Sequence, residues 1–252
     1  MKTVLSILRT VVFFVFGAVI TSCGHKGYQD LPFGGMKGRV QKVTVIHRSP
    51  EVWHVNEKGT DVLYMEALAY DINGYEICSA RMDTAGVIEV EAESMFENGL
   101  CVRSTQKVGG RVIARLNLVS EDKGVLEYSR EIAGHTSRMT IKKSSFMRRH
   151  KTEVSEDGKI TSINEIKTDR QGYPVTVKDI DPETGAEILQ FNEYDENHNI
   201  TEKRVKMDGE EKDQVISTVY SRFDDHGNWI EARTYNRNNL PVEILQREIE
   251  YW

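Results

Sequence analysis

The chain has only three cysteines in 252 residues, and no Cys-x-x-Cys. His-Glu-x-x-His is also absent and the seven histidines are scattered, so the usual zinc spacings are missing. Neither a Gly-x-Ser-x-Gly elbow nor a phosphate-binding glycine loop occurs, which leaves no motif for a serine nucleophile or a nucleotide. No metal and no cofactor are expected. Beyond the N-terminus no apolar run is long enough for a membrane helix, and no stretch sustains a helical apolar period with start and stop signals. The formal charge of −6 gives no bias toward nucleic acid.

The N-terminus itself is distinctive. Lys2 and Arg9 precede an apolar run from Val11 to Ile20, the pattern of an export signal. From Thr10 to Gly24 the chain is uncharged for 15 residues, short of the roughly 20 that a spanning helix needs. Ile20-Thr21-Ser22-Cys23-Gly24 then resembles the lipobox of bacterial lipoproteins, with Ile20 and Thr21 as its two departures from the commonest residues. The resemblance implies cleavage between Ser22 and Cys23, a diacylglycerol on the Cys23 thiol and acylation of the new N-terminus by a palmitate-type chain. Several acyl chains give a stable membrane anchor where one would be marginal. By resemblance to enterobacterial sorting, the absence of Asp after Cys23 favours the outer membrane. By resemblance to Bacteroidetes lipoproteins, the absence of an acidic stretch argues against surface display. The expectation is a lipid-anchored protein of the cell envelope, in the outer membrane and facing the periplasm. Residues 1–22 are read as signal peptide, 23–35 as lipidated tether and 36–252 as the folded domain, with a division near 135–153 as the alternative.

Cleavage removes two cations and no acid, taking the formal charge from −6 to −8. Cys78 and Cys101 remain, in a compartment that permits disulfides. Both a bridge and two small buried thiols are compatible with their strand-like surroundings.

The strongest internal signal is an acidic, amide or hydroxyl residue, two spacers, then Gly or Asn, set between runs of β-branched and aromatic residues. Copies stand at Asn56–Gly59, Asp71–Gly74, Asp83–Gly86, Glu121–Gly124, Ser155–Gly158, Asp169–Gly172, Asp195–His198, Asp224–Gly227 and Asn236–Asn239, with a longer one at Asp181–Gly185. The first residue accepts backbone N–H groups further along, and Gly or Asn tolerates positive φ at the turn's end. Between turns, Ile88, Val90 and Ala92 alternate with Glu89, Glu91 and Glu93, and Val112, Ala114, Leu116 and Leu118 with Arg111, Ile113, Arg115 and Asn117. Period-two alternation means strands with one face buried. Regular spacing of this kind predicts an all-β meander of repeated antiparallel strands and turns, forming a curled or twisted sheet.

Tyr70-Asp71-Ile72-Asn73-Gly74, Tyr194-Asp195-Glu196-Asn197-His198-Asn199 and Phe223-Asp224-Asp225-His226-Gly227-Asn228-Trp229 resemble the YD repeats of the RHS family. The ending Arg247 to Trp252 resembles small YD-repeat-like lipoproteins of Bacteroidetes. His198 stands where Gly is usual, and Asn236 where Asp is usual. The resemblance implies a β-rich repeat scaffold and carries no catalytic activity with it.

Function is less specified. Asp195, Asn197 and Asn199 open like a calcium loop, but Ile200 and Lys206 occupy the positions that need Gly and Glu, so a self-bonded turn is preferred. The Glu89, Glu91, Glu93 row suits a solvated strand face better than a glycan hydrolase, which needs two carboxylates across a cleft. Lys142 to Lys151 is the densest basic segment, read as a solvated loop before a polyanion site. The leading expectation is a non-enzymatic binding or scaffolding lipoprotein, with an envelope protein or glycan as partner on an extended β face. Tyr194, Phe223, Trp229 and Tyr235 are its candidate binding aromatics, some of them competing with a core role beneath the turns. An envelope glycan hydrolase using paired carboxylates is the alternative.

Overall fold

The computed structural model describes residues 35–50, 62–145 and 148–252. Within them run β1 (Val40–Arg48), β2 (Val62–Tyr70), β3 (Glu76–Met82), β4 (Ile88–Glu97), β5 (Leu100–Val108), β6 (Arg111–Asp122), β7 (Val125–Ile132) and β8 (His135–Ser145). There follow β9 (Arg148–Ser155), β10 (Ile160–Thr168), β11 (Pro174–Ile180), β12 (Glu187–Tyr194), β13 (Ile200–Met207), β14 (Gln214–Phe223), β15 (Trp229–Asn236) and β16 (Pro241–Tyr251). Each strand pairs antiparallel with its chain neighbours, and β1 pairs with β16 from Val40↔Tyr251 to Arg48↔Ile244. The meander therefore closes into a barrel, a more specific outcome than the curled sheet expected from sequence. Closure satisfies the backbone groups that an open sheet would leave on its two edges. The sheet is continuous across 135–153, where β8 and β9 pair from Ser137↔Ser155 to Ser145↔Arg148. Ser22, Cys23, the tether up to residue 34 and the Asn56–Gly59 turn lie outside the described residues.

The repeated motif sets the turns by one device. In the Asp224 turn, Asp224 Oδ1 accepts the N–H of His226 at 3.0 Å and of Asn228 at 2.8 Å, while the Asp224 carbonyl accepts the Gly227 N–H at 3.0 Å. Asp71, Asp83, Asp169, Asp195 and Asn236 accept at the same two offsets. The residue three beyond each is left-handed, and His198 takes this role at φ 62° where its counterparts at Gly74, Gly172 and Gly227 avoid a Cβ penalty. Around these turns the register slips by a residue, as between Glu193↔Glu202 and Tyr194↔Ile200.

Because paired residues share a face, the buried side chains identify the inside. Cys101, Leu116, Leu126, Tyr128, Met139 and Ile141 form one buried apolar cluster; Val40, Val43, Val45 and Tyr70 form a second. Both lie on the same, inward face. Ala114, Leu116 and Leu118 point in as the alternation required, with Arg115 and Asn117 outside, but a bulge beside Lys107 turns Val112 outward, where it is exposed. The first and last described residues lie together: Met36 packs on the second cluster, and the Trp252 N–H donates to the Arg39 carbonyl at 2.9 Å. The turns after β2, β10, β12 and β14 share that end, here the terminal end; the turns after β3, β9, β11 and β15 form the far end.

The Cys78–Cys101 bridge does not form, since Cys78 carries a free thiol. The registers give the reason: Cys78 pairs with Glu93 on the outward face, whereas Cys101 is buried in the inner cluster.

Candidate functional site

The inner wall changes character around the barrel. From β4 to β8 it is mainly apolar, and from β7 through β13 it carries Arg130, Arg149, Lys151, Glu153, Asn164, Asp179, Asn192 and Lys203. Arg149 and Lys151 are each 8% exposed. Glu153 is held from both sides: the Arg130 guanidinium reaches Oε2, and the Ser137 hydroxyl donates to Oε1 at 2.7 Å. Asn164 Nδ2 donates to Asp179 Oδ1 at 2.7 Å, and Asn192 Nδ2 to the Pro174 carbonyl at 2.7 Å. Burial, helped by the Arg130 charge, pushes the Lys151 ammonium down to about 8 against the pull of Glu153 and Asp179. Burial alone lowers Lys203. Two further inner groups have unmet hydrogen-bonding capacity, the Gln106 amide and the Tyr128 hydroxyl.

A second charged cluster sits on the inner wall toward the far end. Burial disfavours the His47 cation, but the Glu243 carboxylate at 2.7 Å from Nδ1 and Glu66 at 3.5 Å from Nε2 outweigh it and lift the imidazole to about 9. Its ring stacks on Tyr64 at 4.0 Å, with Arg81 over the other ring at 4.0 Å.

The four aromatics singled out in sequence do not share a face. Trp229 is buried, with the Arg247 guanidinium 3.5 Å from its ring centroid and Tyr220 tilted at 5.4 Å. Tyr194 is half-buried, its hydroxyl donating to the Pro174 carbonyl at 2.8 Å. Tyr235 pairs with Ser217 on the outer wall, and Phe223 is exposed near the terminal end. Other rings prop the turns: Tyr173 stacks on His198 at 4.3 Å, and His226 on Tyr251 at 4.1 Å.

The carboxylate row is interrupted. A bulge at 88–90 removes Glu89 to 3.7 Å from Arg81, while Glu91 and Glu93 both bind Lys107, at 3.3 and 2.8 Å, on the outer wall. The described residues of the Lys142–Lys151 segment lie in β8 and β9, which pair with each other, and so are not a solvated loop. Lys142, Arg148 and His150 face out, whereas Arg149 and Lys151 face in. In the Asp195 turn both carboxylate oxygens accept hydrogen bonds from within the turn, Oδ2 from Asn199 Nδ2 at 2.9 Å. Among the described residues no cluster of three or more His, Cys, Asp or Glu has the geometry of a metal site.

No family model matches the sequence. No curated protein matches it either. Among solved structures the chain is similar to a porin-like protein from Bacteroides uniformis, with 11% identity and a TM-score of 0.53 over 85% of this chain and 99% of that one. A porin-like protein from Bacteroides vulgatus shows 12% identity and a TM-score of 0.42 over the same shares. The first likeness speaks for the barrel fold.

Proposed function

We propose that the chain is a lipid-tethered β-barrel of the bacterial cell envelope, a binding or scaffolding protein standing at the membrane rather than through it. The carrying observation is the charge of the outer wall. Arg103, Lys107, Arg115, Glu131, Arg138, Lys178, Glu202, Arg204 and Lys206 face outward on β5 to β8, β11 and β13, and Glu91, Glu93, Arg148 and Glu193 do so on β4, β9 and β12. Among the described residues β2 and β3 present a mainly apolar outer strip, with Met65, Ala67, Ala69, Ala80 and Met82, and β14 adds Val215 and Val219. A lipid-spanning barrel needs an apolar band on every strand, and an outward Arg or Lys at mid-membrane costs about 2–4 kcal/mol. Several such residues together exceed the roughly 5–15 kcal/mol by which proteins are stable.

The lipobox resemblance at Cys23 supplies the tether, and binding is preferred to hydrolysis because Gln106 and Tyr128 on the inner wall have unmet hydrogen-bonding capacity, whereas the Glu91 and Glu93 carboxylates are both taken up by Lys107 on the outside. Burial lifts the Glu76 carboxyl to about 7 against a hydrogen bond from Ser79. The test is fractionation of wild type and Cys23→Ala, with conductance measured across a planar bilayer. Wild type should sediment with membranes, the variant should be soluble or unprocessed, and neither should open channels. Stepwise conductance from the purified protein would overturn the reading in favour of a pore, and membrane retention of a normally matured variant would overturn the tether.

A further inference from the structure

We propose that the inner wall of β8–β10 binds an oxyanion, a carboxylate or phosphate group, on the ammonium of Lys151. This deepens the binding reading above, and it does not depend on the tether.

Lys151 stands between Ile141 and Asn164 in register, on the face that buries Met139 and Leu126. It is 8% exposed, and among the described residues no hydrogen bond or ion pair engages its ammonium. The neighbouring acids are committed elsewhere: Glu153 is held by Arg130 and Ser137, and Asp179 accepts from Asn164. A buried charge without a partner is expensive. A lysine serving only structure would be expected to carry a counter-ion here, or to give way to an apolar residue of its length. Arg149, two residues along on the same face, adds a second cation, and the Asn164 side chain a polar neighbour. The depressed ammonium remains mostly charged at neutral pH, and an arriving anion would restore its usual basicity. A single anionic group is the class that fits, because the surrounding inner wall offers one uncommitted cation beside apolar Ile141.

The experiment uses the full protein in mild non-ionic detergent, at constant ionic strength set with chloride. Inorganic phosphate and succinate are the two probes, followed by calorimetry and by thermal unfolding. Wild type should bind at least one of them saturably, with a rise in Tm of several degrees, and the stronger of the two distinguishes phosphate from carboxylate. Lys151→Met, which keeps the length and removes the charge, should abolish that rise while unfolding at the same temperature as wild type or higher. Lys151→Arg should retain binding. Absence of saturable binding to both probes by the wild type would overturn the proposal, whatever the variants do. So would a Lys151→Met protein that keeps the ligand-dependent rise, or one that is several degrees less stable without ligand, since either makes the ammonium a structural group. Failure of the tether leaves all these readouts intact.

Discussion

Asn228→Ala tests what holds the barrel shut. Asn228 is 6% exposed and ends the Asp224 turn beside the seam between β1 and β16. Its Oδ1 accepts the Lys37 N–H at 2.7 Å, and its Nδ2 donates to the Lys37 carbonyl and the Tyr251 hydroxyl, both at 2.8 Å. The Tyr251 hydroxyl also donates to Asp224. One side chain therefore ties the penultimate hairpin to both the entry and the exit of the chain. Each hydrogen bond is worth about 1 kcal/mol net, more where a partner is left buried, so the loss of three should cost about 3 kcal/mol. For a domain of this size that corresponds to a fall in Tm of roughly 6–12 °C. Asn199→Ala is the matched control, because Asn199 holds the same place in the Asp195 turn but its side chain bonds only Asp195. It should cost about 1 kcal/mol. Urea unfolding followed by far-ultraviolet circular dichroism measures both. Equal losses would refute the reasoning, since the seam contacts would then contribute nothing beyond the local turn.

Leu126 is fully buried in the inner cluster, so Leu126→Ala should cost about 2–5 kcal/mol in the same assay, near the upper figure if the wall cannot collapse into the gap. Gly38→Ala should cost about 1–3 kcal/mol, because φ is +84° and a Cβ would meet the His226 ring at 3.0 Å and Tyr251 at 3.1 Å; a neutral result would contradict that close approach. The His47 cation is favoured by folding, its pKa rising from 6.5 to about 9. Its stabilisation is fully present below pH 6.5 and is lost as pH rises through 9, on the order of 3 kcal/mol in total. His47→Gln should flatten that part of the stability profile, and a profile unchanged by the substitution would remove His47 as its source.

The hairpins were legible because their chemistry is local. Asp71, Asp83, Asp169, Asp195 and Asp224 each dictate a turn through their own carboxylate, and nothing distant is needed. The two-residue turns at Asn98-Gly99, Gly109-Gly110 and Ala133-Gly134 lack such a side chain, and the repeat pattern passed over them although each has positive φ. Closure was not legible, since it rests on β1 meeting β16 across the whole length of the chain, a contact that no local pattern encodes. The candidate site was hidden for a different reason. Reading alternation as apolar-in and polar-out assigns a run such as Arg148 to Lys151 to solvent, and only register reveals that alternate members, Arg149 and Lys151, turn inward. The aromatics misled in the opposite sense. Trp229 is well placed for a binding face by its motif, yet it lies under Arg247 inside the wall.

The strands of the described residues number sixteen, an even number, and that parity brings residues 36 and 252 out on one side of the barrel. Evolution or an engineer can therefore add or delete a whole hairpin and keep the polarity of the object, whereas gain of a single strand would send the C-terminus to the opposite side. Whatever is fused after Trp252 must share space with the N-terminal entry at Lys37 and Gly38. The turns at Gly86, Gly158, Gly185 and Asn239 are instead the unencumbered places for an inserted epitope, a fluorophore or a second domain.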